Sequence, residues 1–281
     1  MDEITDWDDA YANRAYIPGA DAIVEAWPVR SKTLRDELAQ QGRLKADVEY
    51  GPHARNRLDL FLPEGTPKGL VVFVHGGYWM LFGKDTFSFV AAGAVAAGYA
   101  VAMPSYVLCP ETRIGGITRQ IGDAVVRAAS LVEGPIFLSG HSAGGHLVSR
   151  MVSTTTPLSA PICRRVRKTV SISGVHDLRP LMKTRMNETL RIDEAEAERE
   201  SPALLRPLDG TDVTFWVGAD ERPEFLRQTV MMQEAWGATS RAENVVEPAR
   251  HHFSVIEGLT DPDHPLTRTL LAQSGRSGVI D

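Results

Sequence analysis

The stretch Ile136-Phe137-Leu138-Ser139-Gly140-His141-Ser142-Ala143-Gly144 decides how this chain is read. A short apolar run bounded by glycine has the signature of a strand covered on both faces. Residues from Ala143 onward have helical character. A strand, a tight turn and a helix with serine at the apex form a nucleophile elbow. The flanking glycines suit a turn in which side chains would clash. The elbow lifts the hydroxyl of Ser142 to the sheet edge, at a helix N-terminus, where negative charge is favoured. A serine that only caps a helix after a glycine turn is the plainer alternative.

Outward from this stretch, the same texture repeats. Leu70–Val74, Tyr99–Met103, Pro135–Ser139, Thr169–Ser173 and Val213–Val217 read as buried strands, with Glu243–Glu247 as the last. Helical stretches lie between them, at Phe87–Ala97, Ile117–Val132, Ala143–Ser153 and Glu224–Trp236, and an outer helix is expected at the C-terminus. Strands alternating with helices of this length predict βαβ units and a parallel sheet. Ala46–Tyr50 and Arg57–Leu62 look like strands joined at Gly51-Pro52.

Residues 1–45 read as an N-terminal helical arm, with Ile23, Val24, Trp27, Leu34 and Leu38 at loosely helical spacing. Pro28 is expected to split it into two short helices. Residues 178–210 exceed what a crossover needs and suggest a small cap insertion. Within them, Asp193–Glu200 reads as a solvated helix face. The expectation is one domain over 1–281.

Bulk properties exclude several classes. Hydrophobic content of 43% and charged content of 23% over 281 residues suit a globular chain with a sizeable core. A net charge of −6 argues against nucleic acid or an anionic membrane as partner. The N-terminus has neither a basic nor an apolar signal region, and no apolar run approaches a membrane span. Cys109 and Cys163 form no spaced framework, which suits a reducing, cytoplasmic setting. No His/Asp cluster has metal-ligand spacing, so neither metal nor cofactor is expected.

Val71-Val72-Phe73-Val74 leads into His75-Gly76-Gly77-Tyr78-Trp79, a strand-to-helix loop of the kind that faces an elbow serine. Backbone donors at Gly77, Tyr78 and Ala143 are assigned to an oxyanion hole, and His75 to holding the loop. The base should follow the last strand, which leaves His251 or His252. His53, His146, His176 and His264 read as surface or packing residues. The acid should follow a late strand. Glu221 and Asp220 are not separable by spacing, and Asp177 is a third candidate.

Together these residues resemble the arylformamidase (kynurenine formamidase) family of α/β-hydrolases. The resemblance rests on His75-Gly-Gly-Tyr-Trp79, Lys84-Asp85, Gly140-His-Ser-Ala-Gly144 with His146-Leu147, Ser173-Gly-Val175 with Asp177-Leu178, Ser201-Pro202, Pro223-Glu-Phe225 with Arg227-Gln228, and His252-Phe253. It covers most of the chain. It implies the α/β-hydrolase fold, with a mostly parallel eight-stranded sheet and helices on both faces. The family's acid lies two residues before Pro-Glu-Phe, which is Glu221 here where other members carry Asp. Its histidine directly precedes Phe, which selects His252. Many related esterases carry a third glycine where Tyr78 stands. The implied activity is hydrolysis of an N-formyl arylamine to formate and the free amine. Tyr78, Trp79, Phe82 and Tyr106 are the expected walls for an aryl group. A carboxylesterase for short acyl esters and a catalytically silent binding module are the alternatives. A small-molecule formamide or ester is the expected partner, and a homodimer is left open.

Overall fold

The computed structural model describes residues 4–272. The chain enters through α1 (Trp7–Ala10), whose first turn is capped by the Asp6 carboxylate accepting from the Asp9 N–H at 3.0 Å. It continues into α2 (Ala20–Gln40), which corrects the expected split: Pro28 lies inside one unbroken helix. Pro28 sits on the exposed side, so the cost is limited to its missing N–H and local crowding. The stripe beside it is held by tertiary contacts. Trp27, Ser31 and Leu38 are buried, and Trp27 packs among Phe82, Phe87, Phe89 and Phe253.

Strands β1 (Leu44–Glu49) and β2 (Arg57–Phe61) form the expected antiparallel pair. After β3 (Leu70–Val74), the expected helix over 87–97 is built in pieces: α3 (Lys84–Phe87), a 3-10 turn, and α4 (Ala92–Ala96). Its small residues permit close contact, since a Cβ on Gly93 would lie 2.5 Å from the Leu259 carbonyl oxygen. Then follow β4 (Ala100–Pro104), α5 (Ile114–Ala129), β5 (Ile136–His141), α6 (Ala143–Met151), α7 (Ala160–Arg165) and β6 (Val166–Ile172). The segment 178–210 carries two 3-10 turns with α8 (Asn187–Leu190) and α9 (Glu194–Glu200) between them. The chain closes with β7 (Asp212–Gly218), α10 (Pro223–Trp236), β8 (Arg241–Glu247), a 3-10 turn and α11 (Pro265–Leu271).

One eight-stranded sheet results, in the order β1-β2-β4-β3-β5-β6-β7-β8, with β2 antiparallel to both neighbours and the other pairs parallel. Helices cover both faces, as the wholly buried strands β3, β4, β5 and β7 require. Alternation along β3 divides the core. Leu70, Val72 and Val74 join the layer under α5, α6 and α10, whereas Val71 and Phe73 join the layer under α2, α4 and α11. Strand order reverses between β3 and β5. Their C-terminal ends therefore open the crevice where open α/β sheets bind ligands.

The charged run Asp193–Glu200 is a solvated face on one side only, where Asp193, Glu194, Glu198 and Arg199 are exposed. Glu196 and Glu200 are buried, because α9 packs on α5 and its carboxylates are paired. Arg113 takes Asp193 and Glu196. Arg150 donates to Glu200 at 3.0 Å, and the Thr118 hydroxyl donates to it at 2.7 Å.

Candidate active site

Ser142 sits between β5 and α6 with φ +55° and ψ −117°, a strained conformation for a residue with a side chain. It persists because the turn is wedged on every side. A Cβ on Gly144 would lie 1.9 Å from the Val74 carbonyl oxygen, and one on Gly140 2.3 Å from that of Gly144. The Ser142 N–H donates to the Ile172 carbonyl at 2.8 Å, tying the turn to β6. Ala143 opens α6, so its N–H belongs to the unpaired first turn of a helix.

The loop after β3 lies directly against this turn. A Cβ on Gly76 would be 3.1 Å from the Ser142 Cβ. Gly77, Tyr78 and Trp79 all have positive φ, at +109°, +52° and +57°. Among the described residues, the N–H groups of Gly77 and Tyr78 donate to no backbone carbonyl. The Gly77 carbonyl accepts from Met80 and Leu81 instead. His75 holds the loop: its Nδ1–H donates to the Gly76 carbonyl at 2.7 Å, and its ring stacks on Tyr106 at 4.3 Å. Burial pushes its pKa down to about 4, so the ring is neutral. Arg55 grips the carbonyls of Phe82 and Tyr106. Lys84, buried at the foot of the loop, bonds Asp59 of β2 at 3.0 Å.

Glu221, not Asp220, meets the imidazole. His252 Nδ1 and Glu221 Oε2 are 2.6 Å apart, and both side chains are almost fully enclosed. The other oxygen, Oε1, accepts from the Gly218 N–H at 2.9 Å and from the Ser173 hydroxyl. Asp220 is exposed, with its N–H bonded to the Arg250 carbonyl. Asp177 is clasped by Arg179 at 2.8–2.9 Å. His251 is otherwise engaged, because its Nδ1 accepts from the N–H groups of Phe253 and Ser254.

Sequence reading missed His141. Its Nε2–H donates to the His252 carbonyl at 2.8 Å, and the two rings lie 4.6 Å apart. This bond ties the elbow to the histidine loop. Burial holds the His141 pKa well below its usual value and keeps the ring neutral. Phe225 packs on the His252 ring at 4.5 Å. The only signal for His141 was its place beside Ser142.

The expected aryl walls need correction. Trp79 and Tyr106 are fully buried. Trp79 stands edge-on to His146 behind the loop, and Tyr106 carries His75 and donates to its carbonyl. Neither has surface to offer a ligand, because both fill the space that fixes the loop's shape. Tyr78 and Phe82 are half-buried. Phe82 packs edge-on against Trp27 and Phe87.

A serine hydroxyl at a helix N-terminus, a carboxylate-oriented imidazole and unpaired N–H groups are the parts that acyl transfer needs. Residues 71–275 match the description of the alpha/beta hydrolase family. The chain belongs to that family. It is 31% identical to kynurenine formamidase of Danio rerio over 92% of this chain and 91% of that protein. The Salmo salar kynurenine formamidase is 29% identical over 92% and 91% respectively. These likenesses place this hydrolase in the arylformamidase branch. A crystal structure from a Silicibacter species, provisionally described as a thioesterase, superposes with a TM-score of 0.91 at 48% identity, covering 95% of this chain and 99% of that one. A Pyrobaculum calidifontis esterase shares the fold alone, with a TM-score of 0.63 at 18% identity over 82% of this chain and 87% of that one. No described helix of this hydrolase is long and apolar enough to cross a membrane.

Proposed function

We propose that this enzyme cleaves N-formyl arylamides to formate and the aryl amine through a formyl-enzyme on Ser142. The observation that carries the reading is the enclosed His252–Glu221 pair at 2.6 Å, tied by the His141 bond to the elbow serine. In this reading His252 takes the Ser142 proton as Oγ attacks the formyl carbon. The N–H groups of Gly77, Tyr78 and Ala143 bind the resulting oxyanion. Collapse breaks the C–N bond, and His252 returns the proton to the departing amine. Water, deprotonated by His252, then releases formate and restores Ser142. Glu221 keeps the imidazole in the tautomer with Nε2 free and stabilises it when charged.

The kynurenine formamidase relatives support the formamide substrate. So does the enclosure of Ser142 at 3% exposure, since formyl is the smallest acyl group. A second reading is favoured by the 48% identical chain described as a thioesterase, namely an esterase or thioesterase with the same triad and another leaving group. Specificity constants for N-formylkynurenine, 4-nitrophenyl acetate and acetyl-CoA separate the two. The formamide is expected to lead, and a formamide constant several orders of magnitude below either ester would overturn the first reading. Labelling by a fluorophosphonate that is lost in Ser142→Ala is expected. An unlabelled wild type would sink the serine mechanism and favour a silent binding module.

A further inference from the structure

We propose that the N-terminal arm belongs to the catalytic apparatus, with Tyr11 as a positioning residue that fixes Tyr78 in the oxyanion hole and buttresses the ring beside His252. The proposal rests on the serine-hydrolase reading above. Its starting point is a local conflict. Tyr78 occupies a position where many related esterases have glycine, yet its φ is +52° and that of Trp79 is +57°. Such a conformation is unfavourable for a residue with a Cβ and persists only where the surroundings over-determine it.

The arm supplies that constraint. The Tyr78 hydroxyl donates to the Tyr11 carbonyl at 2.7 Å. Asn13, 2% exposed, borders the same hydroxyl. Tyr11 is in turn anchored from several directions. It is 1% exposed. Its hydroxyl donates to Glu224 Oε1 at 3.0 Å and accepts from Gln228 Nε2 at 3.2 Å. Arg227 clasps Glu224 through two bonds. The Gln228 side-chain oxygen Oε1 accepts from the N–H groups of His176 and Asp177, in the loop after β6. The Tyr11 ring stands edge-on to Phe225 at 6.0 Å, and Phe225 lies 4.5 Å from His252. One residue of the arm therefore connects the donor loop, α10, the loop after β6 and the packing of the base. Anchoring the phenol makes the strained backbone at Tyr78 a fixed donor, which a glycine at this position would not be.

The test removes single atoms. Tyr78→Phe loses only the hydroxyl. Its kcat is expected to fall about tenfold to a hundredfold on both an aryl formamide and an aryl ester, with KM changed less than about threefold. Affinity for an aryl trifluoromethyl ketone, which forms a tetrahedral adduct, is expected to fall by the same factor as kcat/KM. Tyr11→Phe keeps the accepting carbonyl and loses the Glu224 and Gln228 bonds, so a smaller loss in the same direction is expected. Unchanged kcat and ketone affinity alongside a lowered Tm would overturn the proposal and leave the arm as packing. A raised KM at constant kcat would also overturn it, making the phenol a substrate wall. Failure of the underlying serine reading is separately visible, because wild-type enzyme would then resist fluorophosphonate labelling.

Discussion

At the scale of single residues, the assignment of the acid turns on which of two adjacent carboxylates points inward. The Glu221 side chain is fully enclosed and has partners on both oxygens, whereas that of Asp220 faces solvent. A carboxylate bonded to Nδ1 holds the imidazole in one tautomer and stabilises its charged form, and an amide in its place can do neither well. Glu221→Gln is therefore expected to lower kcat/KM on an aryl formamide by about 10³–10⁴, the range seen when a triad acid is neutralised. Asp220→Asn should stay within about twofold of wild type. Steady-state kinetics on the two variants decide the matter, and the reverse ranking would move the acid to Asp220.

At the scale of elements, the segment 178–210 is bound to α6, the helix after Ser142, by buried charge. Arg150 of α6 meets Glu200 of α9 with both side chains at or below 10% exposure, and His146 of α6 donates to the Glu200 carbonyl at 2.6 Å. Breaking one side of such a pair strands the other charge, which costs about 3–5 kcal/mol. Arg150→Met should lower stability by that order, read as a shift in the urea midpoint. Adding Glu200→Leu should recover most of the loss, since an apolar pair of similar volume is close to neutral. An unmoved midpoint in the single variant would mean that the pair does not hold the segment.

At the scale of the whole molecule, four buried neutral histidines make stability depend on pH. Burial lowers His75 and His146 to about 4 and His176 to about 3, and holds His141 well below its ordinary value. In the unfolded chain each takes up a proton near pH 6.5, but the folded protein resists it. Their contribution is present above about pH 6.5 and drains away as pH falls toward the folded values. Each such site contributes a slope of up to about 1.4 kcal/mol per pH unit within that window. Urea unfolding at pH 7.5 and pH 5 should show a marked loss at the lower pH. A flat profile would contradict the neutral, buried state of these rings.

The amino-acid sequence alone determined the features that depend on near neighbours. The apolar runs of β3, β5 and β7 mark strands covered on both faces, and the glycines around Ser142 mark a turn too tight for side chains. Because those signals are local, their places along the chain were readable. Which residue wins where two are locally equivalent was decided only by tertiary structure. Glu221 and Asp220 differ by which side of one turn faces His252. Pro28 did not break α2, because packing around the buried Trp27 holds the helix while Pro28 itself stays exposed. Asp193–Glu200 reads as uniformly charged, and only Arg113, just before α5, and Arg150 of α6 show that Glu196 and Glu200 turn inward. Tyr11 and Tyr78 are 67 residues apart, and nothing near either one in sequence marks the bond between them. Pattern and propensity report what a segment can form, whereas the direction of a side chain and the identity of its partner are settled by contacts between distant segments.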